Sequence, residues 1–90
     1  VTVGCSLIEL TQAGRDKVLV VNEGQCYTGG IDAHAPADWW VHDNVFRGFY
    51  CDEQIDYPSQ HAISFWLGGR DGIIERNVIL DSTRGIGLGL

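Results

Sequence analysis

Val41-His42-Asp43-Asn44-Val45-Phe46-Arg47-Gly48 and, 33 residues later, Ile74-Glu75-Arg76-Asn77-Val78-Ile79 follow one plan. An apolar residue is followed three positions on by an asparagine, and then by two more apolar residues. Leu19-Val20-Val21-Asn22 offers the first four positions of the same plan. The three asparagines are spaced by 22 and 33 residues, and each lies 13 or 14 residues after an isoleucine: Ile8, Ile31 or Ile63. A fourth isoleucine, Ile86, opens a further turn. Recurrence at a period of about 20 to 50 residues is the sequence mark of a solenoid.

Aligned on the isoleucines, four rows follow: Ser6-Leu7-Ile8-Glu9-Leu10-Thr11, Gly29-Gly30-Ile31-Asp32-Ala33-His34, His61-Ala62-Ile63-Ser64-Phe65-Trp66 and Arg84-Gly85-Ile86-Gly87-Leu88-Gly89. The isoleucine and the position two later are apolar in every row. That alternation predicts strands with one buried face. Turns rich in Gly, Pro, Asp and Ala follow at 11–17, 35–38 and 68–72. A second strand pair then begins at Val18, Trp40 or Ile73 and bends at the asparagine. Stacked asparagine amides can bond to one another from coil to coil, which a buried polar group requires. Apolar residues do not recur at helical spacing over any long window, and β-branched residues are abundant, so strands are expected rather than helices.

Asn44 and Ile63 are 19 positions apart, against 9 for Asn22 to Ile31 and for Asn77 to Ile86. The surplus falls at 48–60, an inserted loop holding Tyr50, Cys51, Asp52, Glu53, Asp56, Tyr57 and Pro58. Insertions into a solenoid loop out from one face and often border its binding surface.

The two asparagine segments quoted first, with Arg84-Gly85-Ile86-Gly87-Leu88, resemble the repeats of right-handed parallel β-helix proteins of the pectate-lyase-like kind. From Gly29 onward the resemblance is to bacterial members. It implies an all-β parallel β-helix of about three to four coils with an asparagine ladder, and it favours a secreted or periplasmic protein. That superfamily includes pectate and alginate lyases, polygalacturonases, uronan epimerases, phage tailspikes and non-enzymatic surface proteins, so fold alone assigns no activity. By resemblance, a substrate groove runs along the strands of Ile31 and Ile63, beside the 48–60 loop.

Residues 1–90 make one domain at most. A first residue of Val and a last row cut off in mid-strand suggest a segment of a longer chain, or a subunit that stacks on copies of itself through its open ends. Twelve Asp and Glu against six Lys and Arg, with no basic cluster, argue against nucleic acid and anionic membranes as partners. No apolar run approaches the roughly 18 residues of a membrane span. Cys5, Cys26 and Cys51 have no zinc-type spacing, and they fit either small core residues or one disulfide with a free thiol.

Outward columns can be read from the alignment. One holds Glu9, Asp32, Ser64 and Gly87; the next Thr11, His34, Trp66 and Gly89; a third Ser6, Gly29, His61 and Arg84. Neighbouring parallel strands lie about 4.8 Å apart. Glu9 and Asp32 are therefore expected to face one side together. Two carboxylates that close raise one another's proton affinity, which suits an acid/base pair for a glycoside or half of a Ca²⁺ site. Asp32, His34 and His61 are the candidate catalytic residues. Glu9, Ser64, Trp66 and Arg84 are the candidate substrate contacts, with Trp66 as a plane for a sugar ring. No dedicated metal site and no other cofactor is indicated.

The expected function is binding, with or without cleavage, of a polysaccharide, by lyase or glycoside hydrolase chemistry if catalytic. An acidic chain favours a neutral glycan over a polyuronate. The rival reading is a structural or adhesive solenoid that assembles end to end. The simple alternative for the polar columns is a solvated outer face, and for Asp43 with Arg76 an ion pair between coils.

Overall fold

The computed structural model describes residues 1–52 and 59–89. In chain order its elements are β1 (Thr2–Gly4), β2 (Leu7–Glu9), α1 (Gln12–Val21), β3 (Ile31–His34), β4 (Trp40–His42), β5 (Val45–Arg47), β6 (His61–Trp66), β7 (Ile73–Glu75), β8 (Val78–Leu80) and β9 (Arg84–Leu88). The strands form three parallel three-stranded sheets: β1-β4-β7, β2-β5-β8 and β3-β6-β9. The chain visits the first, second and third sheet in turn, three times.

The corner between the first and second sheets explains the asparagines. Cys5, Asp43 and Arg76 stand there at φ 52°, 55° and 52°, the left-handed conformation that turns the chain between two strands. The next residues are Ser6, Asn44 and Asn77. Asn77 Oδ1 accepts from Asn44 N and Nδ2, both at 3.0 Å, and Asn77 Nδ2 donates to Val41 O. One strand further, Asn44 Nδ2 donates to Val3 O at 2.9 Å and Asn44 Oδ1 accepts from Ser6 N at 3.1 Å. Asn44 is only 2% exposed, and these bonds are what make its burial tolerable.

Three expectations are overturned here. The first is the parallel β-helix of three to four coils: among the described residues each sheet holds three strands and no closed or curled solenoid forms. The chain is a compact β domain of 36 × 26 × 16 Å, a slab rather than a rod. The second is the strand at Val18. Residues Gln12–Val21 form an α-helix, and Asn22 caps its C-terminal end, its Nδ2 donating to Val18 O and to Tyr27 O. The ladder therefore has two asparagines, with Ser6 in the third place. The third is the seat of Ile8, which pairs with Phe46 in the second sheet and not with Ile31; Ile31, Ile63 and Ile86 do share a register in the third.

The helix has a local cause. Thr11 is its N-cap, the hydroxyl accepting from Gly14 N at 3.2 Å, and Gln12, Ala13, Arg15, Lys17 and Leu19 are favourable helix formers. It buries only Arg15 and Val18. Arg15 compensates by tying α1 to the sheets: it donates to Leu10 O, Gly48 O and Gln12 Oε1, and its guanidinium lies 3.9 Å from the centre of the Tyr50 ring. A disulfide from Cys26 to Cys51 fastens the segment after α1 to the chain after β5, while Cys5 is an exposed free thiol.

The core lies between the sheets. Val41, Phe46 and Ile63 are fully buried, with Ala33, Phe49, Ala62 and Phe65 around them and Val3, Ile8, Ile74 and Ile79 packed against the cluster. Each such large apolar side chain contributes about 1.5–3 kcal/mol on burial. Gly30 is small by necessity, since a Cβ there would fall 2.4 Å from Ala62 O and 2.8 Å from the Phe46 ring. Of the inserted loop, residues 53–58, including Glu53, Asp56, Tyr57 and Pro58, lie outside the described residues.

Candidate functional site

The outer face of the third sheet carries most of the expected residues. Asp32 stands opposite Ser64 and His34 opposite Trp66 on β3 and β6, and Ser64 stands opposite Gly87 on β9. Three further contacts organise the column. The Trp66 indole donates to Asp32 Oδ1 at 2.8 Å. His34 Nε2 lies 3.6 Å from the same oxygen, and its ring meets the Trp66 ring edge-on at 4.3 Å. Asp32 is thereby held by one oxygen, and its Oδ2 takes no hydrogen bond from a described residue.

A groove of about 300 Å³ opens beside this column, lined by Tyr27, Thr28, Gly29, Ile31, Asp32, Gln60, His61 and Ser64. Asp32, Ser64 and His61 are thus brought together. Gln60 N donates to Thr28 O at 2.9 Å and joins the two loop walls. The His61 ring also lies against β9, where a Cβ on Gly87 would fall 2.7 Å from it. Its Nδ1 is buried and has no hydrogen-bond partner among the described residues. No hydrogen bond links His61 to Ser64 or to Asp32 among the described residues, so the three are not wired as a nucleophilic triad.

The remaining expected residues lie elsewhere. Glu9 is in the second sheet and pairs with Arg47, so it does not face Asp32. The expected carboxylate pair, and with it the half Ca²⁺ site, is not assembled. The cause is the misplaced Ile8, which carried Glu9 into the wrong sheet. Arg84 is opposite His61 on β9 but does not line the groove. Among the described residues, no group of three or more His, Cys, Asp or Glu side chains is arranged to hold a metal ion.

Tyr27, Thr28 and Gln60 were not anticipated. Tyr27 and Thr28 precede the Gly29-Gly30 pair, and Gln60 ends the inserted loop, so each adjoins a strand that was read correctly. That adjacency was the available signal. Gln60, the last residue of the 48–60 insertion, is among the lining residues.

The outer face of the first sheet carries a second polar cluster with a structural character. Arg76 Nε and Nη2 donate to Asp43 at 2.8 and 2.9 Å, and Arg76 Nη1 donates to Glu75 at 2.6 Å. The Trp40 indole donates to Glu75 at 3.0 Å, His42 stacks on Trp40 at 3.7 Å, and His42 Nδ1 lies 2.7 Å from Asp43. The ring of contacts closes on itself across β4 and β7. The bonds from Arg76 and then His42 hold the Asp43 carboxyl well below the usual carboxylate range, and Asp43 holds the Arg76 guanidinium above its ordinary value. The ion pair expected between Asp43 and Arg76 is present.

Among the described residues no helix is long and apolar enough to cross a membrane. Comparison of the chain with protein-family models, with curated proteins and with solved structures finds no match.

Proposed function

We propose that this domain binds a neutral saccharide in the groove of its third sheet. The observation that carries the reading is Asp32, a carboxylate at the groove whose one oxygen is fixed by the Trp66 indole while the other is open to a ligand hydroxyl. Hydrogen bonds from a hydroxyl to an ionised acceptor contribute about 1.5–3 kcal/mol. Tyr27 adds aromatic surface in the groove, and Thr28, Gln60, Ser64 and His61 add polar groups, while Trp66 holds Asp32 from beside it. A small number of fixed polar groups among aromatic walls is the usual make-up of a small-molecule site. Binding is favoured over cleavage, because glycosidases of the common kind flank the bond with two carboxylates and the described groove supplies one. The chain's net charge of −6 favours a neutral ligand over a uronate.

Titration calorimetry with a panel of neutral oligosaccharides, and with an oligogalacturonide for comparison, tests this. At least one neutral sugar should bind, and Asp32→Ala and Trp66→Ala should each weaken it while leaving the fold intact. Binding that survives both substitutions, or binding of the uronate alone, would sink the proposal.

A second reading is favoured by one observation. Ile86 and Leu88, in register with core residues of β6, are 47% and 64% exposed on β9, the edge strand of its sheet. An apolar strand edge of this kind can pair with a second copy of the chain. Light scattering across a concentration series tests it; a single monomeric mass throughout removes this reading.

A further inference from the structure

We infer that His61 is held as its Nε2–H tautomer, and that this sets what the groove accepts: a sugar ring that takes a hydrogen bond from His61 at one side and gives one to Asp32 at the other. The inference rests on the saccharide-binding reading of the same groove. Its starting point is the seat of the imidazole. The ring lies against Gly87, whose missing side chain leaves the space: a Cβ there would fall 2.7 Å from Cε1 and 2.8 Å from both ring nitrogens. In that seat Nδ1 is shut away from solvent and meets no partner among the described residues. A buried N–H without an acceptor is among the rarest features of folded proteins, whereas an under-used acceptor is tolerated better. The proton of the neutral ring therefore belongs on Nε2, the ring nitrogen that is not shut away, in a side chain that lines the groove.

The spacing of the strands then fixes the ligand. Asp32 on β3 and Gly87 on β9 are two inter-strand steps apart, about 10 Å. Ser64 lies between them, small and almost wholly buried, as a floor. One hydrogen bond at each side leaves room for a single sugar ring over Ser64. The Asp32 side accepts only, because its carboxylate is a pure acceptor, and the His61 side donates. A hydroxyl satisfies either; a ligand carboxylate is repelled by Asp32.

Two measurements decide this. In a ¹⁵N-labelled sample at neutral pH, the two-bond correlation spectrum of the histidine rings should show His61 with a protonated Nε2 and a bare Nδ1. Gly87→Ala should move those signals, since it removes the seat. The reverse pattern overturns the tautomer. The second measurement is calorimetric, with whichever neutral oligosaccharide of the panel binds. His61→Gln, whose amide nitrogen reaches about as far as Nε2, should keep affinity within about threefold, and His61→Asn, which ends near Nδ1, should lose about tenfold. Equal affinity of the two variants overturns the selection by His61. If no sugar of the panel binds, the ligand half falls together with the reading it rests on, and the spectrum still decides the tautomer.

Discussion

Replacing Asn44 by Ala removes the most deeply buried side chain of the asparagine corner. Asn44 is 2% exposed, and its amide makes three bonds: to Val3 O, to Asn77 Oδ1 and from Ser6 N. At about 1 kcal/mol net for each, the direct loss is roughly 3 kcal/mol. The Val3 carbonyl and the Ser6 amide lose their partner in a half-buried corner, which pushes the figure up rather than down. A domain of this length is stabilised by roughly 5–13 kcal/mol in total. The variant should therefore fold, but with its thermal midpoint lowered by about 15 °C. Asn77→Ala removes the acceptor of Asn44 N and Nδ2 and the donor to Val41 O, and should cost about as much. The two share the bond between their amides, so the double mutant should cost less than the sum by about 1 kcal/mol. Asn22→Ala is the control. Asn22 caps α1 through two bonds, to Val18 O and, at the exposed end, to Tyr27 O, and its loss should cost no more than about 2 kcal/mol. Urea unfolding followed by circular dichroism and tryptophan fluorescence gives all four numbers. An Asn22→Ala cost equal to that of Asn44→Ala would refute the two-asparagine ladder, and so would an Asn44→Ala variant as stable as the parent.

Three further outcomes are expected. Cys51→Ser opens a cross-link between residues 25 apart in sequence and should lower stability by about 3.5 kcal/mol, read from urea midpoints with the parent in dithiothreitol as the matching state; unchanged midpoints would contradict it. Asp43 is depressed by Arg76, so the pair's contribution is fully present above the unfolded carboxylate value of about 3.9 and is lost as pH falls below it toward the folded value. Arg76→Gln should accordingly flatten the acid limb of a stability–pH profile and leave its slope at neutral pH unchanged; an unaltered acid limb would count against the coupling. Gly4→Ala places a Cβ 2.5 Å from His42 Nε2, so the ring must leave its stack on Trp40, at a cost of about 1–3 kcal/mol; near-ultraviolet circular dichroism that matches the parent would show the stack undisturbed.

Where sequence pattern succeeded and failed has a physical basis. The segments around Asn44 and Asn77 declare themselves because a buried amide corner tolerates few residues, and two of its three places are filled by the same one. The third place is filled by Ser6, since only its backbone N–H is needed at the end of the ladder. Val3-Gly4-Cys5-Ser6-Leu7-Ile8 follows the same apolar plan as Val41 to Phe46 without the asparagine, whereas Leu19-Val20-Val21-Asn22 has the asparagine without the corner. There the apolar run is a helix end and the amide a cap. Thr11, followed by Gln12-Ala13-Gly14-Arg15, was the overlooked sign of a helix start.

The same error decided which part of the site was legible. Asp32, Ser64, His34 and Trp66 were placed together correctly because Ile31 and Ile63 do share a register, and alternation along two paired strands transmits that register to every neighbour. Glu9 was misplaced because Ile8 was aligned by identity with Ile31 when its partners are Phe46 and, beyond it, Ile79. One wrong strand assignment turned an ion pair with Arg47 into an apparent catalytic dyad. His61 shows a different boundary. Sequence put it near the column, but its use depends on a ring lying against a glycine one strand away and on a buried nitrogen without a partner, and neither follows from any periodicity. The disulfide is of that kind too: three cysteines allow three pairings, and only packing beside α1 chooses Cys26 with Cys51. Pattern therefore places the residues on the outer face of the third sheet as far as register carries, and side-chain contacts such as those of His61 and Cys26 begin where register ends.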